Sequence, residues 1–430
     1  MLCEMRSDDR LLRALKGRRP QEHWMERFLR WGLLTSAVVL TAFGLVMVSS
    51  ASYPEALENN LSPHHYMKRQ AMWALLGFVV LLIGWRFPHE KLRRWSWVAL
   101  LLAVAMLCAA LLSPLGEAAN GVRRWINVAG FRFQPSEFAK IALLLYLSSY
   151  LSRWPAALHS RRRRASRYQE GADVDRGSRS PLKDFLYDFA PMLHSGLVIS
   201  VVAGLVLLGP HLSGALLLLL LGGYMVIAAG TRWSHLFLML GLLIVVIAPL
   251  AATQLKGYQI FRLTEHFKEK GDPSKQGSYQ YQVDHARKAL GSGGWTGSGL
   301  GKSMAKQLYL PAAHNDFILA IIGEEMGFVG TITVLGLFGL IAFCGFTIAR
   351  LCDDQFGTLL ASGLTVMLVL QAQAHVAVVL GVVPTTGIPL PFISAGGSLL
   401  TCSLLAVGLL LNIARHRDEE LDDANREGGA

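Results

Sequence analysis

Apolar residues run along this chain in long blocks rather than in alternation with polar ones. The stretches 32–50, 72–84, 97–112, 141–151, 197–208, 215–230, 236–252, 317–349, 358–383 and 399–413 are almost free of charge. At 1.5 Å per residue most of them, with their flanks, reach across a hydrocarbon core of about 30 Å, and the shorter ones need a few flanking residues to do so. Closed barrels show short alternating segments instead, so helices are the spanning form. The pattern predicts an all-α polytopic membrane protein of about ten transmembrane helices. Composition agrees: 52% of the 430 residues are hydrophobic, 17% are charged, and the mean hydropathy is +0.38.

The charge distribution orients the spans. With the N-terminus inside, the cytoplasmic segments are 1–31, 86–94, 153–183, 231–235, 350–356 and the tail from Ala414. They hold about 26 of the 41 Lys and Arg residues, close to span ends, as the positive-inside rule requires. The opposite orientation would put Arg161 to Arg164 outside. Ten spans therefore leave both termini cytoplasmic. The net charge of +11 is read as a topology signal and an attraction to anionic membrane lipids, not as a nucleic-acid footprint. The run after Arg30 is too long for a cleavable signal and lacks a small-x-small cleavage site, so the first span is expected to be a retained anchor. Five cysteines without C-x-x-C spacing indicate neither a disulfide framework nor a zinc site.

Three units follow: a basic cytoplasmic arm at 1–31, a transmembrane domain at 32–413, and a cytoplasmic tail at 414–430. The domain carries a polar cytoplasmic loop at 153–183 and a large external loop at 253–315, between the seventh and eighth helices. That external loop is punctuated by Gly291-Ser292-Gly293-Gly294, Gly297, Gly299 and Gly301 and by aromatics, which marks it as more than a linker. A second external loop, 113–135, carries Asn120-Gly121-Val122-Arg123-Arg124-Trp125-Ile126.

Ionisable groups near membrane depth are costly and mark candidate sites. Asp316 stands at the head of the eighth span, where water access suits a general base. A carboxylate there could equally cap the helix. Glu324 and Glu325 follow, and a structural pairing with a buried cation is the favoured reading. Gly323-x-x-x-Gly327 would let another helix approach that face. The fourth span opens with Gln134-Pro135-Ser136-Glu137-Phe138-Ala139-Lys140, with Pro135 and Ser136 as start signals. Glu137 and Lys140, three apart, either neutralise each other or line a polar cleft; Lys140 is the cation offered to the two glutamates. Arg123, Arg124, Arg132, Lys302 and Lys306 fall on the outer side, where few cations are expected, and either clamp a pyrophosphate or are solvated loop charges. There is no metal-ligand spacing, Walker loop or dinucleotide fingerprint, so chemistry here needs a pre-activated substrate.

Several blocks together resemble the SEDS family (shape, elongation, division and sporulation) of peptidoglycan glycosyltransferases, most closely its cell-division branch. They are Ser49-Ser50-Ala51-Ser52, Lys68-Arg69-Gln70, residues 120–125 and 134–140, and Ala289-Leu290-Gly291-Ser292-Gly293-Gly294 through Gly301. They continue with Tyr309-Leu310-Pro311, His314-Asn315-Asp316-Phe317-Ile318, Ile321-Ile322-Gly323-Glu324-Glu325, 384–394 and Gly396-Gly397-Ser398. The blocks keep family order from residue 49 to about 412.

The resemblance implies a ten-helix enzyme of the bacterial inner membrane, at the division septum, that polymerises lipid II into glycan strands. It assigns Asp316 as the catalytic general base in an inverting transfer that expels undecaprenyl pyrophosphate. It raises Arg124, Arg132, Glu137, Lys140, Lys302, His314, Glu325 and Ser394 as substrate-binding candidates. It implies as partners a growing glycan strand, a class B penicillin-binding protein transpeptidase, other divisome proteins and membrane lipids, with no nucleic acid. A divalent cation, Mg or Mn, at the pyrophosphate is allowed, though nothing in the sequence spells out its ligands, and no nucleotide cofactor is expected. Three positions depart from the pattern: His211 stands where many relatives have Asp, Ala395 where Tyr is usual, and Thr386 where some division members carry Lys. The competing readings are an elongation polymerase of the same family, a lipid II flippase, and a scaffold that only activates its transpeptidase. A flippase would show helices broken at the midplane and charges central to the bilayer; Asp316 at the outer edge favours surface chemistry, while Glu324, Glu325 and Lys140 leave a transport cavity open.

Overall fold

The computed structural model describes residues 19–112, 116–119, 122–128, 131–153, 181–209, 211–231, 237, 241, 279–307, 310, 314–384 and 387–427. The arm up to residue 18, the loop at 154–180, nearly all of the predicted seventh span, positions 253–278 and the Thr386 departure lie outside the described residues. Ten helices and three short strands are described. They are α1 (Arg19–Glu58), α2 (His65–Arg86), α3 (His89–Leu112), β1 (Gly116–Ala119), β2 (Val122–Val128), β3 (Phe131–Phe133), α4 (Pro135–Leu151), α5 (Pro181–Leu208), α6 (Leu212–Ala228), α7 (Tyr279–Ser292), α8 (Ile318–Leu351), α9 (Gln355–Val379) and α10 (Gly397–Glu427).

The chain is a multi-pass membrane protein. The other nine predicted spans all fall on helices, and six of these are long and apolar enough to cross a bilayer. Their exposed faces are apolar: on α2, Leu75 is 71% exposed, with Met72, Val79 and Ile83 beside it, while Trp73, Ala74, Gly77 and Leu81 point inward. A bundle apolar on both faces has lipid, not water, for its outer solvent. α4 sits at the centre, almost wholly buried, and packs against α3, α5, α6, α9 and α10. Helices overrun their apolar blocks. α1 begins inside the basic arm and ends beyond Pro54, and α10 continues into the tail.

Four features differ from the sequence reading or add to it. The second external loop holds β1, β2 and β3, an antiparallel sheet in which Asn127 faces Arg132 and Ile126 faces Phe133. The long external loop contains a helix of its own, α7. Ser136 is not a start signal; the cap of α4 is Gln134, without a side-chain cap bond, and Pro135 takes the first helical position, where its missing N–H costs nothing. The eighth span is not continuous. α8 breaks at Gly327 (φ 66, ψ −160), and residues 328–351 alone are long enough to cross the membrane. The sequence hides this break because glycine is common in membrane helices and the apolar run continues through it.

Candidate active site

Asp316 is not the cap of α8: the helix starts at Ile318, and its cap is Phe317, which makes no side-chain cap bond. The carboxylate is partly exposed one residue ahead of that cap, and a methyl group built on Gly387 would lie 3.6 Å from its Oδ2. Behind it, Phe317 to Ile322 are almost inaccessible, so the first turns of α8 form a rigid base under the Asp.

The break at Gly327 follows from where the backbone hydrogen bonds go. In an unbroken helix the amides of Phe328 and Val329 would bond the carbonyls of Glu324 and Glu325. Here the glycine-rich segment after α7 replaces all four partners. Phe328 N donates to Gly294 O (2.8 Å) and Val329 N to Trp295 O (3.2 Å), while Ser298 N donates to Glu324 O (2.9 Å) and Gly299 N to Glu325 O (3.0 Å). Open backbone at membrane depth is tolerated only when satisfied in this way. The approach demands glycine: a Cβ on Gly297 (φ 80) would sit 2.2 Å from Glu325 O, and one on Gly327 would sit 2.5 Å from Gly297 N. What packs against Gly323 and Gly327 is therefore a loop and the end of α7, rather than a second spanning helix.

The two glutamates lock the same junction. Glu324 accepts from Met304 N (2.7 Å), Ala305 N (3.3 Å) and the Ser303 hydroxyl. Glu325 pairs with Lys306 at 2.8 Å and accepts from Ser50 of α1 at 2.8 Å; Lys306 also donates to Ser50 (2.9 Å). The buried cation is thus Lys306, not Lys140, and Glu325 holds the fold instead of facing a cavity.

Next to Asp316 lies a cavity of about 280 Å³. Its walls are Tyr66, Arg69, Gln70 and Trp73 from α2, Trp125 and Arg132 from the sheet, His314 and Asn315, and residues 395–397 at the head of α10. Two guanidinium groups and a helix N-terminus thus face one space, an arrangement suited to a phosphate. His314 Nδ1 stands 3.0 Å from Glu55 and its ring packs on Tyr66 (centroids 5.1 Å apart). Ser394 does not enter the cavity. Its buried hydroxyl donates to Asn315 O (2.7 Å) and accepts from Leu390 N (2.8 Å), tying the turn at Phe392 (φ 65) to the residue before Asp316. A phenyl side chain in the left-handed region is strained, and such strain gathers at functional sites. Ala395 N donates to His314 O (3.1 Å); with alanine in place of the tyrosine of the family pattern, this wall stays open.

Other candidates separate. Alternation along β2 sends Trp125 to the cavity and Arg124 to a small pocket beside Ser136 and His211. The Arg123 side chain lies outside the described residues. Glu137 and Lys140 form a local ion pair of 2.8 Å, and Lys140 is only 2% exposed. His211 lies 3.4 Å from Gln134 Nε2; burial, then the charges of Arg124 and Lys140, push its pKa down to about 3, so it stays neutral where the pattern has an acid. Lys302 is exposed on the glycine turn and does not line the cavity. Sequence reasoning missed Arg69, Trp73 and Glu55 as site residues. Arg69 carried the same signal as Arg132, an arginine on the side where few are expected. Among the described residues no group of three His, Cys, Asp or Glu side chains could hold a metal ion. The donor set of those residues does not fit a divalent ion held by protein ligands alone.

Comparison with known proteins bears on the same residues. Residues 30–419 match the FtsW/RodA/SpoVE family model, described as cell cycle protein. The chain is 36% identical over 383 residues to the probable peptidoglycan glycosyltransferase FtsW of Trichlorobacter lovleyi, covering 89% of this chain and 92% of that one. It is 34% identical over 407 residues to the protein of the same description from Hahella chejuensis, covering 93% and 94%. Among solved structures it resembles a chain of a peptidoglycan synthase complex that coordinates polymerization and crosslinking (TM-score 0.67, 27% identity, 90% and 98% covered). It also resembles the rod shape determining protein RodA of Thermus thermophilus (TM-score 0.60, 27% identity, 90% and 97% covered). With its ten described helices and nearly its whole length matched, the chain belongs to the FtsW/RodA/SpoVE family of cell cycle proteins.

Proposed function

We propose that the protein is a peptidoglycan glycosyltransferase that polymerises lipid II for septal wall synthesis in the bacterial inner membrane. The observation that carries the reading is Asp316, one residue ahead of the α8 cap and beside a cavity with two arginines. Asp316 accepts the proton of the acceptor sugar 4-hydroxyl. That oxygen forms its bond to the anomeric carbon of the growing strand from the face opposite the leaving group. The bond from that carbon to the pyrophosphate oxygen breaks, and its electron pair departs with undecaprenyl pyrophosphate. Arg69 and Arg132, with the amides heading α10, stabilise the charge that oxygen gains, which is where fixed donors lower a barrier most. Trp73 and Trp125 give the sugar faces to stack on.

The division assignment rests on the names of the most similar curated relatives, and the synthase-complex likeness supports a class B transpeptidase as partner. The flippase reading loses its main sign, because the α8 break lies at the outer end of a full-length span rather than at the midplane. The test is lipid II polymerisation in liposomes by the protein with its transpeptidase. Wild type is expected to make glycan, and Arg69→Gln with Arg132→Gln to lower kcat/KM about a hundredfold or more, as loss of fixed transition-state donors does. Lipid II crossing the bilayer without polymer would overturn the proposal.

A further inference from the structure

At the end of the bundle opposite Asp316, helix ends surround a second cavity of about 470 Å³. α3 supplies His89, Glu90, Arg93 and Arg94, Arg153 follows the end of α4, Asp354 heads α9, and His416 comes from α10. The frame is fixed by hydrogen bonds. Asn412 Nδ2 donates to Trp85 O (2.9 Å), joining α10 to α2, and Ser149 Oγ donates to Arg93 O (3.1 Å), joining α4 to α3. Asp354 accepts from Gly357 N (3.0 Å), stands 3.4 Å from His89 Nε2, and His89 stacks on His416 with centroids 4.2 Å apart. Asp354 is thereby committed to the fold.

The arginines are less engaged: Arg153 Nη2 reaches Ser149 Oγ only at 3.5 Å. Among the described residues no carboxylate lies at ion-pair distance from Arg93, Arg94 or Arg153. Three guanidinium groups that never lose their charge therefore border a preformed space, two from α3 and one from the end of α4. On the outside of the same helix ends, Phe87, Trp95 and Trp97 are exposed. Tryptophans gather where acyl chains meet headgroups, which sets the cavity at headgroup level. It lies about 30 Å along α10 from the outer cavity, too far to take part in the chemistry there.

We propose that this cavity binds the phosphodiester of an anionic glycerophospholipid. A free phosphate offers the arginines the same chemistry, but it has no use for the apolar and aromatic surface beside them. Only the choice of leaflet, cytoplasmic, rests on the orientation proposed above; binding is read without any glycan assay. The test is native mass spectrometry of the full chain in detergent with added phosphatidylglycerol or phosphatidylcholine. Phosphatidylglycerol is expected to bind, and Arg93→Gln with Arg153→Gln to weaken it about tenfold or more, since each basic residue near an anionic lipid contributes a comparable increment. Glu90→Gln, which removes a competing negative charge, is expected to tighten it about fivefold. Equal binding of phosphatidylcholine, undiminished phosphatidylglycerol on the double variant, or displacement of the lipid by inorganic phosphate would overturn the proposal. Should the double variant fail to fold, the Glu90→Gln comparison decides alone.

Discussion

The two ends of this bundle solve different problems. Around Asp316 the backbone is irregular: a three-stranded sheet, a glycine-rich turn, a broken helix and a strained Phe392. The glycine-rich turn, the helix break and the turn at Phe392 are locked by buried polar groups, with Glu324, Glu325, Lys306 and Ser394 all engaged. At the other end, helices simply stop, a side chain caps α9, and arginines border an open cavity. The lesson is that polar groups at the first end fix geometry, so losing one should damage the fold. At the second end the arginines are displayed, so losing one should cost little stability.

The sharpest way to break this contrast is Gly327→Ala. Alanine disfavours φ 66, and its Cβ would meet backbone atoms of Gly297 and Trp295. Loss of about 3 kcal/mol or more is expected, read as loss of folded protein on size-exclusion chromatography. Lys306→Met comes next. It leaves Glu325 buried without its cation and should cost about 3–5 kcal/mol, read as a fall in Tm; adding Glu325→Met should restore most of it. A double variant no better than the single would show that Lys306 acts through something other than the ion pair.

At the opposite end, Asp354→Ala should cost only about 1 kcal/mol, the worth of a helix cap. Its pH dependence sharpens the comparison. Burial alone would raise the Asp354 pKa, but the His89 contact and the Gly357 amide hold it below the ordinary value of 3.8. A depressed carboxylate contributes stability that is present above that ordinary value and is lost as pH falls through the lower folded pKa. The Tm difference between wild type and Asp354→Ala should therefore shrink in that acid range and be steady near neutrality. Arg94→Gln, at an exposed side chain, should change Tm least of all.

Much of this was legible in the sequence, and the gaps have physical causes. Nine spans read directly from apolar blocks, because membrane helices are set by composition over long windows. The Glu137–Lys140 pair was legible because it is local, three residues apart on one helix. The Glu325–Lys306–Ser50 cluster was not, since it joins α1, a loop and α8 through contacts that no periodicity encodes. The glycine turns stood out, but their role as the hydrogen-bond complement of a helix break required knowing that Gly327 breaks it. Asp316 was visible as cap or base alike; the α8 cap falls one residue later, at Phe317.

The central claim is that Asp316 is the general base, and one measurement addresses it most directly. Lipid II polymerisation is followed with the partner transpeptidase present, comparing wild type with Asp316→Asn at matched folding and complex formation. The account predicts glycan from wild type and a loss of about 10²–10⁴-fold or more in the variant, the range for removing a general base. Glycan synthesis at the wild-type rate by a folded, paired Asp316→Asn would contradict it.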